Sequence, residues 1–129
     1  MSWTDLLIDA RPINAIFSQP PRLGGVRILE LRLHQDGPRL SALINLNELP
    51  EQMPPKWAAQ GVNQIQLMLM FIGIVTLNIR NWTTDNIVDL ELARSGDLIR
   101  VEMRGHNFET TLECGHIFVE KISGYRVGD

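Results

Sequence analysis

The chain is poor in several things at once, and each shortage removes a class of function. It has a single cysteine, Cys114, among 129 residues, so no disulfide can form within it. That suits a reducing compartment, and a cytoplasmic location is expected. Glycines stand singly or as Gly24-Gly25, with no GxGxxG or GxxxxGK segment. A phosphate cradle of either kind is therefore excluded. No CxxC or HxxxH pair occurs, which removes the usual spacings of a structural zinc site. There is no excess of positive charge, since the formal net charge is −3. Phosphate binding needs a basic surface, so nucleic acid is disfavoured as a ligand.

Two further absences concern membranes. The opening residues, MSWTDLLIDA, carry no basic region before a short apolar stretch that Asp5 and Asp9 interrupt. No secretory leader is expected there. The uncharged stretch Val62–Ile79 approaches the length of a membrane span, but Asn63, Gln64, Gln66 and Asn78 occupy its ends. Its apolar centre, Leu67 to Leu77, is only about eleven residues and contains Ile72, Ile74, Val75 and Thr76, a β-rich set. A strand inside a folded domain is the expectation, with no membrane partner.

What remains is an ordinary globular composition with 44% hydrophobic residues, enough for one domain over 1–129 with a core of its own. Ser2 with Asp5 resembles a capping box, and Trp3, Leu6 and Leu7 share one face at helical spacing. A short N-terminal helix is predicted, ending at Pro12. After the loop SQPPRLGG, Leu29, Leu31 and Leu33 alternate with Glu30, Arg32 and His34. Beyond the turn at Gln35-Asp36-Gly37-Pro38, Leu40, Ala42, Ile44 and Leu46 share a face. Segments 26–34 and 39–47 therefore predict an antiparallel hairpin.

Three prolines break the pattern over 48–63, leaving room for one helical turn at Lys56–Gln60 before Gly61. Strands are predicted at 64–71, nearly all apolar and so covered on both faces, and at 74–80, with a bend at Gly73. A meander is expected to finish the chain. Its strands hold Ile87, Leu90 and Leu92, then 98–103, 108–114 and 117–122, with turns at Ser95-Gly96-Asp97 and Gly115. The fold class is mainly β (α+β): a twisted antiparallel sheet, sandwich or partial barrel with a short N-terminal helix.

Candidate chemistry is thin. His106, Cys114 and His116 invite a metal site, but their spacing matches no common pattern, and Cys114-Gly115-His116 reads as a turn with a buried thiol. Cys114 as a nucleophile would need a lowered pKa and an oriented base, which no motif supplies. A small buried hydrophobe is favoured. No cofactor or metal is implied, and no catalytic residue is assigned. Trp3, Trp57 and Trp82 each stand near an element boundary, where pinning a loop to the core is favoured over an interface role.

Charge is unevenly spread. Residues 1–64 hold six acids and six bases, whereas 81–120 hold eight acids and three bases. Asp85, Asp89 and Glu91 cluster there, with Asp89 and Glu91 on one strand face opposite Leu90 and Leu92. The bland reading is a solvated face. The functional reading is an acidic patch that steers a basic partner.

A set of short segments stands in a definite order along the chain. It runs from Trp3 and Gln19-Pro20-Pro21-Arg22-Leu23 through the first strand to Asp36-Gly37-Pro38 and Pro54-Pro55-Lys56-Trp57. It continues with Asn63 to Phe71, Gly73-Ile74-Val75, Asn81-Trp82 and Ile122-Ser123-Gly124-Tyr125. In these segments the chain resembles the bacterial immunity protein 50 family of polymorphic toxin systems. The resemblance implies a protein that neutralises a cognate toxin by binding it. It supplies no catalytic residues and does not name the toxin. A small-molecule-binding domain and a homo-oligomeric structural domain stand as alternatives. The first would show an apolar cavity with inward polar groups, the second a large exposed apolar patch.

Overall fold

Alternation of apolar and polar residues runs through most of the chain, and the computed structural model, which describes residues 2–128, turns it into eight strands. They are β1 (Val26–His34), β2 (Arg39–Asn45), β3 (Gln64–Ile72), β4 (Thr76–Arg80), β5 (Asn86–Ser95), β6 (Leu98–Arg104), β7 (Glu109–Cys114) and β8 (His116–Tyr125). All strand pairs are antiparallel, in the order β4-β7-β6-β5-β1-β2-β3-β8. The sheet is not closed into a barrel, and the mainly β expectation holds.

The sheet has two halves. β1, β2, β3 and β8 form one, and β4 to β7 the other. They join through three residue pairs, Val26 with Val88, Arg27 with Ile87 and Ile28 with Asn86. The halves approach again where the β3–β4 and β7–β8 connections meet: Gly115 N–H donates to Ile72 O at 2.9 Å, and Val75 N–H to Glu113 O at 2.9 Å. One face of each half lines a single core. Leu40, Ala42, Ile44, Leu67, Leu69 and Phe71 come from the first half, and Val88, Leu90, Val101, Met103 and Leu112 from the second. Burying each large aliphatic side chain contributes roughly 1.5–3 kcal/mol, so this shared core is what holds the halves together.

The hairpin of 26–34 with 39–45 forms as predicted, but a bulge between Ile28 and Glu30 shifts its register, so Val26 and Ile28 enter the core while the alternating Leu29 and Leu33 are left exposed. Ser2 and Asp5 do make a capping box, but the helix it starts is one 3-10 turn, Trp3–Leu6. The chain is already extended at Leu7, which bridges to Ile117. Pro12 therefore ends no helix. It lies inside a second short helix, α1 (Arg11–Asn14), near its start, where the missing N–H has no intrahelical partner to lose. α1 carries Ile13 into the core. The turn expected at Lys56–Gln60 is α2 (Pro55–Ala59), followed by Gly61 at φ +69°.

Two expectations about strands are corrected. The meander stops at β7, and β8 crosses to pair with β3 from Ile72–His116 to Gln64–Tyr125. Without it the nine-residue edge of β3 would present unpaired backbone beside an apolar strand. β3 itself is fully covered only on its core face. On the outer face Met68 and Ile72 are half-buried, while Met70 is buried among neighbouring side chains.

Trp3 and Trp57 pin loops to the core as expected. Trp3 Nε1–H donates to Pro21 O at 2.9 Å, and the Trp57 ring lies against Gly124. Gly105 marks the tightest backbone approach, since a Cβ there would stand 2.6 Å from Ile87 O. Neither backbone can yield without disturbing β5 and β6 together. Gly105→Ala is expected to destabilise the fold by about 2 kcal/mol, in the range of overpacking. Gly115→Ala, whose Cβ would meet only Ile72 O at 3.6 Å, is expected to be near neutral. Thermal denaturation of the two variants checks this, and equal melting temperatures would contradict it.

Candidate functional site

The acidic segment lies on the outer face of the β4–β7 half, and the register shows what surrounds it. Reading across β5, β6, β7 and β4, one rung is Asp89, Arg104, Glu109, Arg80. The next is Glu91, Glu102, Thr111, Asn78, and the one after is Ala93, Arg100, Glu113, Thr76. Val88, Leu90, Val101, Met103 and Leu112 point the other way, into the core. Alternation alone thus places Asp89 and Glu91 together on an exposed face.

The face is mixed, with acids in excess. Arg100 Nε lies 3.0 Å from Glu102, and Arg104 pairs with the same carboxylate. The hydrogen bond from Arg100, with the charge of Arg104, holds Glu102 below the usual carboxylate range. Both arginines of β6 are thereby engaged by one acid. Glu91, directly across from Glu102, makes no ion pair among the described residues, so negative charge accumulates at that rung.

Asp85 and Asp89 are held differently. Asp85 precedes β5 and lies 3.3 Å from Arg27 Nε on β1, both side chains half or more exposed. Such a pair is weak and easily exchanged for a partner's cation. Asp89 Oδ1 accepts the backbone N–H of Gly25 at 2.9 Å, which ties β5 to the loop before β1. So the structure brings Asp89 and Glu91 onto one face, and sets Asp85 beside it at the end of a loop. The countercharges Arg27, Arg100 and Arg104 were not identified from sequence, because only the strand register reveals them.

That loop is cross-linked by local hydrogen bonds. Asn86 is buried, and its Oδ1 accepts from Thr83 N–H at 3.0 Å and Thr83 Oγ1 at 3.2 Å, while its Nδ2 donates to Thr83 O at 2.8 Å. Asp85 N–H donates to Thr83 Oγ1 at 3.2 Å. Asn81, at φ +59°, donates to Asn107 O at 3.2 Å and fixes the turn into the loop. These bonds present Trp82, which departs from the core role expected of it. It is 46% exposed and packs edge-on against Phe108, with ring centroids 5.2 Å apart. Beside it an open hollow of about 300 Å³ is lined by Asp85, Ile87, His106 and Phe108. The hollow is of mixed character, with Ile87 and Phe108 among polar residues that include Asp85, Asn86 and His106.

The other candidate chemistry disperses. Cys114 is fully buried on the core face of β7, and burial pushes its thiol up to about 11. His116 lies in the outer rung of β8 and His106 in the β6–β7 turn. Among the described residues no three His, Cys, Asp or Glu side chains gather as a metal site would require. With a pKa near 11 only about one thiol in a thousand is ionised at pH 8, and thiolate is the reactive form. Alkylation of Cys114 at pH 8 is expected to run at least roughly 100-fold slower in the folded protein than in denaturant, given its burial and ionisation. Labelling at comparable rates would contradict the buried placement.

Comparison with known proteins agrees with the ordered segments noted in the sequence. No curated protein and no solved structure matches the chain. The immunity protein 50 family matches residues 9–125, a span that leaves out Trp3 but takes in both sheet halves, the 81–86 loop and all three acids. Over nearly its whole length, the chain belongs to the immunity protein 50 family.

Proposed function

We propose that the chain is an immunity protein that binds a cognate bacterial toxin in the cytoplasm and neutralises it by occlusion, without catalysing a reaction. The observation that carries this reading is the family match over residues 9–125. Occlusion asks for a scaffold that does not deform and a face that complements the toxin. A two-half sheet over one core meets the first need, and the hydrogen-bonded 81–86 loop beside the acidic rungs meets the second.

Asp85, Asp89 and Glu91 are the partner-binding residues in this proposal, opposing a basic toxin surface. Trp82, half-exposed beside them, adds an aromatic anchor. The acids act mainly on the rate of encounter, because exposed charges steer association more than they hold a complex together. Each exposed pair contributes at most about 1 kcal/mol, so no single substitution is expected to abolish protection.

The test uses a candidate toxin domain taken from a gene neighbouring the chain's own, purified in an inactive form. The triple variant Asp85→Asn, Asp89→Asn, Glu91→Gln is expected to associate about ten-fold more slowly than the natural chain at low salt, with the difference shrinking as salt is raised. Its melting temperature should change little, since Asn at position 89 keeps an oxygen for Gly25 N–H. Unchanged association kinetics would remove these three residues from the interface. Absence of any complex with the natural chain would remove the immunity reading itself.

A further inference from the structure

The sheet ends in β4 on one side and β8 on the other, and β1 has an open side beyond Ile28. An open side presents unpaired backbone N–H and C=O groups, which natural sheets guard with bulges, lysine, proline or a covering segment. β8 is guarded. Leu7 bridges to Ile117, Ile8 N–H donates to Ile117 O at 2.9 Å, and a bulge at Glu120 precedes Lys121. β1 has its bulge between Ile28 and Glu30 at the point where β5 leaves it. β4 has no such device. From Thr76 to Arg80 it pairs with β7 without a register shift, and it holds neither proline nor lysine. Among the described residues no segment other than β7 bonds to its backbone.

The register shows which groups are left open. Gly105 N–H donates to Phe108 O at 2.8 Å, so the bonded pairs between β6 and β7 fall at Met103–Thr110 and Val101–Leu112. Glu109, Thr111 and Glu113 therefore turn their backbone groups toward β4, in agreement with the bond from Val75 N–H to Glu113 O. Their partners Arg80, Asn78 and Thr76 are satisfied by them. Leu77 and Ile79 alternate with these partners, so their N–H and C=O groups point away from the sheet. Their side chains lie on the core side. Leu77 is half-buried there, whereas Ile79 is exposed.

We infer that β4 receives an extended segment of the toxin as a further strand, an inference that rests on the immunity reading and says how the partner is held. The open groups fix the class of occupant, because only an extended backbone meets a donor and an acceptor at every second residue. Its position points to the toxin. The outer rungs that hold Asp89, Glu91 and Glu102 end on β4 at Arg80 and Asn78, and β4 runs through Asn81 into Trp82. A partner seated on the acids and Trp82 reaches this edge along one continuous surface. A second copy joined only through two such edges would share five residues of strand, far short of the roughly 1,000 Å² of a specific interface. The side chains beside the edge set the segment's pattern. Apolar residues on its core side would cover Ile79 and extend the row of Leu77 and Ile79. An acid beside Arg80, which makes no ion pair among the described residues, would neutralise it.

Amide hydrogen exchange, read residue by residue on the natural chain, tests this without any variant. The probe is a candidate toxin domain from a gene neighbouring the chain's own, in an inactive form. The amides of Leu77 and Ile79 are expected to exchange freely in the chain alone and to slow at least about 100-fold in the saturated complex. Those of Asn78 and Arg80 should already be protected without toxin. Ile79→Pro removes an outward N–H and no ladder bond, whereas Ile79→Ala removes the same side chain and keeps the N–H. The proline variant is expected to bind toxin about ten-fold more weakly than the alanine variant, mainly through faster dissociation. A complex that leaves exchange at Leu77 and Ile79 unchanged would overturn strand addition and leave the immunity reading standing. So would equal binding by the two folded variants. Protection of the two amides in the chain alone as its concentration rises would assign the edge to a second copy and overturn the inference. Absence of any complex with the natural chain would remove the immunity reading and this inference with it.

Discussion

Three residue pairs between β1 and β5 hold the two sheet halves in one ladder, and the surroundings of Asp85 and Asp89 follow from them. Val26 and Ile28 enter the core at this seam opposite Val88 and Asn86, so the strands cannot slip by one residue without turning apolar side chains outward. The same register sets Arg27 beside Ile87, within reach of Asp85, and brings Gly25 N–H to Asp89. Two of the three acids, Asp85 and Asp89, are thus also held by groups close to the seam. Beyond Ile28 the halves part, which leaves each with an outer face of its own character.

Those characters differ for reasons of charge. On the β4–β7 face, Glu102 takes up both arginines of β6 and leaves Glu91 uncompensated. On the β1–β2–β3–β8 face the rung of His34, Arg39 and His116 is separated from Glu30 and Glu120 by Met70 and Phe118, and Arg39 Nε is left unpaired. One face is acidic in excess, the other carries both signs.

Local pattern was enough to read part of this from the sequence. The hairpin of β1 and β2 declares itself by alternation around Asp36-Gly37-Pro38, and Asp89 with Glu91 declares a shared face in the same way. Pairings between distant segments leave no such trace. Nothing local in Ile117–Ile122 says that β8 returns to β3, and nothing in Thr76–Arg80 says that β4 pairs with β7. The same blindness hid Arg27, Arg100 and Arg104 from the acidic site, since only register brings them there. Pro12 misled for a different reason. Proline stops a helix that precedes it and also favours one that starts there, and the sequence around Ala10 does not choose.

The central claim is that this chain cancels the action of a protein toxin by binding it. The most direct measurement is growth of a sensitive bacterial host that expresses a candidate toxin domain taken from a gene neighbouring the chain's own, with and without co-expression of the chain. The account predicts growth restored when the natural chain is present, and a stoichiometric complex of the two proteins recovered from those cells. Continued killing, despite well-folded chain in excess over toxin, would contradict it.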